Sequence, residues 1–147
     1  MGESLKLLDI LFEKIIYGYL PEKFNLLLRK NELKIEDSRR PWGFFENLTD
    51  TDNHKVKRIT VYPGKRLSLQ SHDRRDEHWF IIEGDALFTC NGRVEKIKIG
   101  QSVDISRCES HRIENIGAGN LVFIEIQTGE YFGEDDIKRF EDDFGRC

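Results

Sequence analysis

No stretch of this 147-residue sequence approaches the roughly 18 consecutive apolar residues of a membrane-spanning helix, so a helical membrane protein is not expected. A signal peptide is missing as a pattern too. Glu3, Lys6 and Asp9 interrupt the N-terminal leucines, and no small-residue cleavage site follows. There is no basic excess: the formal net charge is −4, which excludes a general nucleic-acid binder, since little would neutralise phosphates along a duplex, but leaves room for a small phosphate ligand. Cysteine is sparse, and the three that occur, Cys90, Cys108 and Cys147, are too widely spaced for a disulfide framework or a cysteine-based zinc site. A reducing, cytoplasmic setting is the expectation. What is present is ordinary for a globular chain, 34% charged and 38% hydrophobic, with enough length for one core.

The most informative stretch runs from Gly64 to Gly84, GKRLSLQSHDRRDEHWFIIEG. Gln70 and His72 lie two apart in an alternating run, so both side chains leave a strand on the same face. The charged DRRD then interrupts the run and the apolar WFII follows Glu77 and His78, which reads as a hairpin that returns Glu77 opposite His72. An amide, an imidazole and a carboxylate on one face are one donor short of a closed metal site. His111, in SHRIEN, is the remaining candidate. Alternation turns His78 away from the face that Glu77 uses, and His54 lies in a polar loop.

These residues resemble the cupin family at both of its motifs. Gly64, Gln70, His72, Glu77 and Gly84 meet every interval of the first motif. Gly100, His111 and Asn115 fit the second, with Ser106 where the family has proline and Cys108 where it has glycine. The segments RPWG (40–43), VKRITVYPGKRLSLQSHDRRDEHW (56–79), HRIEN (111–115) and IEIQTGEYFGEDDIKRFEDDFGR (124–146) are further similar to the C-terminal domain of type II phosphomannose isomerases. In that family the domain usually follows a mannose-1-phosphate guanylyltransferase. The glycine-rich, arginine-containing nucleotide signature of the transferase does not occur in these residues, so no nucleotidyl transfer is expected.

Taken in order, residues 4–20 place Leu5, Leu8, Leu11, Phe12, Ile15, Ile16 and Tyr19 on one side at helical spacing, and Pro21 ends that helix and starts a second. Residues 1–36 are therefore expected as a helical leader and 37–147 as the barrel domain. Short runs follow (VKRITVY, LSLQSH, EHWFIIEG, ALFTCNG, VEKIKIG, SVDIS, HRIENIG, NLVFIEIQ), punctuated by turn signals at intervals of a β-sandwich or barrel. With the resemblance, the expected fold is all-β, a cupin double-stranded β-helix, with a short C-terminal helix in GEDDIKRFEDDFGR. WFII is apolar on both faces, so the barrel exterior calls for cover, supplied by the leader within its own subunit or across a homodimer. A homodimer is the expected assembly.

The resemblance implies one divalent metal held by Gln70, His72, Glu77 and His111. Zinc is the expected ion because related isomerases use it, and the donor set also suits Fe²⁺, Mn²⁺ or Ni²⁺. It also implies interconversion of mannose 6-phosphate and fructose 6-phosphate through an enediol, which needs a base over the carbon. Lys57 and Glu125 are the candidates. For the sugar phosphate, Arg75, Arg112 and Arg58 are expected as cations. Two other readings stay open: a non-catalytic metal- and sugar-phosphate-binding subunit or sensor, and an oxygenase in which His72, Glu77 and His111 form a two-histidine, one-carboxylate triad for iron.

Overall fold

Period-two alternation of large apolar and polar side chains, broken every few residues by Gly, Asn or Asp, produces short strands that each bury one face. In this computed structural model, residues 38–146 are described, and the leader expected over 1–36 lies outside them. The strands are β1 (Arg39–Arg40), β2 (Gly43–Asp50), β3 (His54–Val61), β4 (Leu69–Ser71), β5 (Arg75–Glu83), β6 (Ala86–Cys90), β7 (Arg93–Ile97), β8 (Ser102–Ile105), β9 (His111–Asn115), β10 (Leu121–Gly129) and β11 (Lys138–Glu141). They form a six-stranded sheet, β1-β2-β3-β10-β5-β8, and a five-stranded sheet, β11-β4-β9-β6-β7. Every ladder is antiparallel, as in the double-stranded β-helix that the motifs imply. Among the described residues no helix is long and apolar enough to cross a membrane.

The two inner faces share one core. Ile59, Val61, Trp79, Ile81, Ile105, Leu121 and Phe123 come from the first sheet, and Ala86, Phe88, Ile97 and Ile113 from the second. Trp79 is the keystone: it is fully buried, with ring centroids 5.0 Å from Phe123 in its own sheet and 5.7 Å from Phe88 across the core. Alternation along β5 points Arg75, Glu77, Trp79 and Ile81 inward, and along β10 it points Leu121, Phe123, Glu125 and Gln127 inward. The core is thus apolar at one end and polar at the other. On the outward side of β5, Phe80 and Ile82 are 40% and 45% exposed.

Three details differ from the sequence reading. β4 and β5 are not a hairpin, because they belong to different sheets and the DRRD segment carries the chain from one to the other. That crossover is held by the carboxylate of Asp136, which accepts from the backbone N–H groups of Asp73 (3.4 Å) and Arg74 (3.2 Å). The short C-terminal helix is present only as a 3₁₀ turn, Glu134–Asp136, after which the chain becomes β11 and pairs with β4. Asp136 is drawn to the crossover, and β4 has an open edge that a strand, not a helix, can satisfy. Finally, β2 arises from GFFENLTD, whose polar second half hides an eight-residue strand from pattern reading.

Candidate metal centre

The polar end of the barrel gathers His72, just beyond β4, Glu77 on β5 and His111 on β9. Both histidines are fully buried and Glu77 is nearly so, and one ligand atom from each lies within 4.8 Å of the others. His72 Nδ1 is 2.9 Å from the carbonyl of Arg75 and His111 Nδ1 is 2.8 Å from that of Glu109. A carbonyl only accepts, so each Nδ1 carries the proton and each Nε2 keeps its lone pair. Both Nε2 atoms are buried without a hydrogen-bond partner. They approach the carboxylate instead, His72 Nε2 at 3.1 Å from Oε1 and His111 Nε2 at 3.8 Å from Oε2. Two imidazole lone pairs and a carboxylate, each oriented from behind by a backbone carbonyl or a side-chain donor, are the donor set a divalent cation takes. The residues present fit the metal that the motifs imply.

Electrostatics favour the ligating forms. Burial would raise the pKa of Glu77, but its neighbours His72 and His111 and the guanidinium of Arg75 outweigh it and hold the carboxyl well below the usual carboxylate range. Burial lowers the pKa of His111, keeping its imidazole neutral. Glu77 is further fixed by Arg75 Nε and Gln127 Nε2, each 3.0 Å from Oε1, and by Trp79 Nε1, 3.1 Å from Oε2.

Gln70, the expected fourth ligand, stands in register with His111 on the neighbouring strand, but its Oε1 accepts from the Ser68 hydroxyl at 2.8 Å. The glycine missing from the second motif costs the site little. Cys108 takes the left-handed conformation itself (φ +66°), and its N–H donates to the carbonyl of His72 at 2.8 Å. His78 points outward to Asp104, at 2.7 Å.

Next to the triad lies a cavity lined by Lys57, Gln70, Glu125, Gln127, Glu134 and Arg139, with Trp42, Phe45 and Ile59 on its apolar side. Glu125 is buried, accepts from Gln127 Nε2 at 2.8 Å and faces Lys57 Nζ at 3.5 Å. Burial, reinforced by the charge of Glu77, raises its pKa to about 7 against the opposing pull of Lys57. Gln127 thereby links the two carboxylates, one held ionised and one poised near neutrality.

Of the three arginines expected for phosphate, two face outward and the third is engaged by the donor set. Arg58 alternates against Lys57, so it leaves the outer face of β3, where its partner is Glu46 at 3.6 Å. Arg112 alternates against His111 in the same way and pairs outward with Glu141 at 3.1 Å. Arg75 does point inward, but it is 2% exposed and committed to Glu77, to the carbonyl of Gly133 (3.3 Å) and to Asp136 (3.7 Å). An inward cation of the C-terminal segment is Arg139, which a helical reading of residues 133–146 concealed.

Residues 29–142 match the family described as mannose-6-phosphate isomerase C-terminal. The chain is 46% identical over 107 residues to the alginate biosynthesis protein AlgA of Pseudomonas syringae pv. tomato, covering 73% of this chain and 22% of that protein. It is 41% identical over 125 residues to a mannose-1-phosphate guanylyltransferase of Salmonella montevideo, covering 85% of this chain and 26% of that one. The chain thus spans about a quarter or less of the length of these relatives. Among solved structures, a conserved protein with a double-stranded β-helix domain from Klebsiella pneumoniae superposes with a TM-score of 0.62 at 20% identity, over 74% of this chain and 95% of that one. That likeness concerns the fold.

Proposed function

The chain belongs to the mannose-6-phosphate isomerase C-terminal family, and from that premise we propose that it is a metal-dependent aldose–ketose isomerase acting on mannose 6-phosphate and fructose 6-phosphate. The observation that carries the reading is the pairing of an oriented His72–Glu77–His111 donor set with a buried carboxyl near neutrality, Glu125, joined to Glu77 through Gln127. A divalent cation held by these three residues, zinc being the first candidate, would polarise the substrate's carbonyl and hydroxyl oxygens.

The chain's own groups cover the rest of the reaction. Glu125 as the carboxylate takes the proton from C2 of the aldose and returns it at C1, and a pKa near 7 suits a group that must do both. Lys57, 3.5 Å from Glu125, holds the proton that passes between the two substrate oxygens. Gln127 bonds to both Glu77 and Glu125 and so keeps the base in a fixed relation to the donor set. Trp42, Phe45 and Ile59 form the apolar side of the cavity and shield that side of the enediol from water. An oxygenase reading is less well supported, because the cavity wall carries Lys57, Glu125, Gln127 and Arg139 instead of a mainly apolar lining. The naming of relatives for alginate synthesis and mannose-1-phosphate chemistry supports a role in supplying hexose phosphate for polysaccharide precursors.

The test is a coupled assay of mannose 6-phosphate conversion on metal-reconstituted protein, with His111→Ala alongside. Activity in the parent and its loss, together with loss of bound metal, in the variant is the expected result. Full metal occupancy with no turnover by any of the four candidate ions would overturn the isomerase.

A further inference from the structure

We propose that the cavity beside the donor set contains a subsite for the substrate's phosphate organised by Arg139, and that the carboxylate of Glu134 occupies that position until the phosphate displaces it. The proposal rests on the sugar-phosphate reading above and assigns the end of the cavity that reading leaves without a role.

Arg139 is the inward residue of β11, between the outward Lys138 and Phe140, and stands in register with Gln70. Its Nε is buried and donates to nothing, an arrangement that costs stability unless a ligand accepts the bond. The same guanidinium reaches Glu134 only loosely, with NH2 3.5 Å from Oε2. The other oxygen of Glu134 lies 4.0 Å from Lys57 Nζ. Glu134 therefore places one carboxylate between two inward cations without a close hydrogen bond to either. Its side chain is 55% exposed and enters from solvent on a single 3₁₀ turn, so it can swing out at small cost.

A phosphate dianion matches this place better than the carboxylate does. It has a further oxygen and a further charge, and a guanidinium fork offers parallel N–H donors to two of its oxygens. Arg40 and Arg146 line the same cavity and add positive field. The inward acids opposing them are Glu125 and Glu134, so the departure of Glu134 leaves the cavity more cationic as the anion enters. Arg58, Arg75 and Arg112 cannot serve, being turned outward or already engaged.

The experiment is calorimetric titration of inorganic phosphate, and separately of mannose 6-phosphate, into the full chain and its Glu134→Gln and Arg139→Met variants. Removing the competing carboxylate is expected to tighten phosphate binding about tenfold. Removing the guanidinium is expected to weaken it roughly 10- to 100-fold, the range of a charge-assisted hydrogen bond, with bound metal unchanged. Should Arg139→Met fail to fold, Glu134→Gln decides alone, since it changes only an exposed side chain. Unchanged or weaker phosphate binding in Glu134→Gln overturns the subsite. Phosphate binding needs no turnover, so tightening in a catalytically silent protein would keep the subsite and sink the isomerase. Turnover with an unaltered KM in both variants would do the reverse.

Discussion

Replacing Arg75 by methionine tests whether this buried arginine is a structural counter-ion. The substitution keeps most of the volume and apolar stem but removes the donor 3.0 Å from Glu77, the bond to Gly133 and the ion pair to Asp136. Breaking a buried pair by removing one partner costs about 3–5 kcal/mol, because the remaining carboxylate stays desolvated. For a chain of this size that is roughly 10–15 °C in Tm, at about 3 °C per kcal/mol. A cation held by His72, Glu77 and His111 would compensate Glu77 in place of the guanidinium. The loss should then shrink to about 1–2 kcal/mol, the worth of the remaining contacts to Gly133 and Asp136. The measurement is thermal and urea unfolding of parent and variant, once with chelator and once at the same saturating Zn²⁺ concentration, so that the difference between the two losses reports the change in metal affinity. A loss below 1 kcal/mol with chelator, or an equal loss with and without bound metal, would refute the reasoning.

The pH dependence of the proposed reaction follows from Glu125. Its pKa is raised, so the carboxylate that abstracts the proton forms only as pH rises, and kcat/KM should climb through a limb at or somewhat below pH 7; Glu125→Gln should abolish turnover while leaving bound metal intact. Asn115 is fully buried, donates to the carbonyls of Val61 and Gly119 at 2.8 Å each and accepts from the Gly117 N–H at 2.9 Å, so Asn115→Ala should cost roughly 2–4 kcal/mol in urea unfolding by leaving these groups unpaired. The two glycines that bound the first motif should differ on mutation to alanine. Gly84 combines φ +88° with an added Cβ 2.6 Å from the carbonyl oxygen of Asn120, whereas Gly64, at φ +67°, would meet nothing within 4 Å. Gly64→Ala is expected to cost about 1 kcal/mol, from backbone strain alone, and Gly84→Ala distinctly more, with equal losses refuting the steric argument.

The donor residues were legible because interval and alternation are properties of the sequence itself. Gln70 and His72 share a strand face wherever that strand goes, and the spacing to Glu77 and His111 matches a known pair of motifs. The route of the chain was less legible. DRRD reads as a turn, and whether such a segment closes a hairpin or crosses between sheets depends on Asp136, sixty residues on, which the local pattern does not contain. The arginines show a different failure. Arg112 beside His111 and Arg58 beside Lys57 are near the site in sequence and on the wrong face in space, which alternation alone would have revealed. Arg139 was hidden for the opposite reason: three acids before Lys138 and Arg139 resemble the charge order of a helix, and only the need of β4 for a partner makes that segment a strand.

That last pairing has a consequence for how molecules of this protein tolerate one another. β4 is three residues long and would, unpaired, present free backbone donors and acceptors at the end of its sheet, a template on which another chain could add a strand. β11 covers it and hands the edge on to a strand containing Lys138, Arg139 and Glu141, whose charges oppose further addition. The same few residues thus wall the cavity and guard against aggregation. A truncation before Lys138 would open the cavity and expose a sticky edge at once, and with them would go Phe144, which packs against the core.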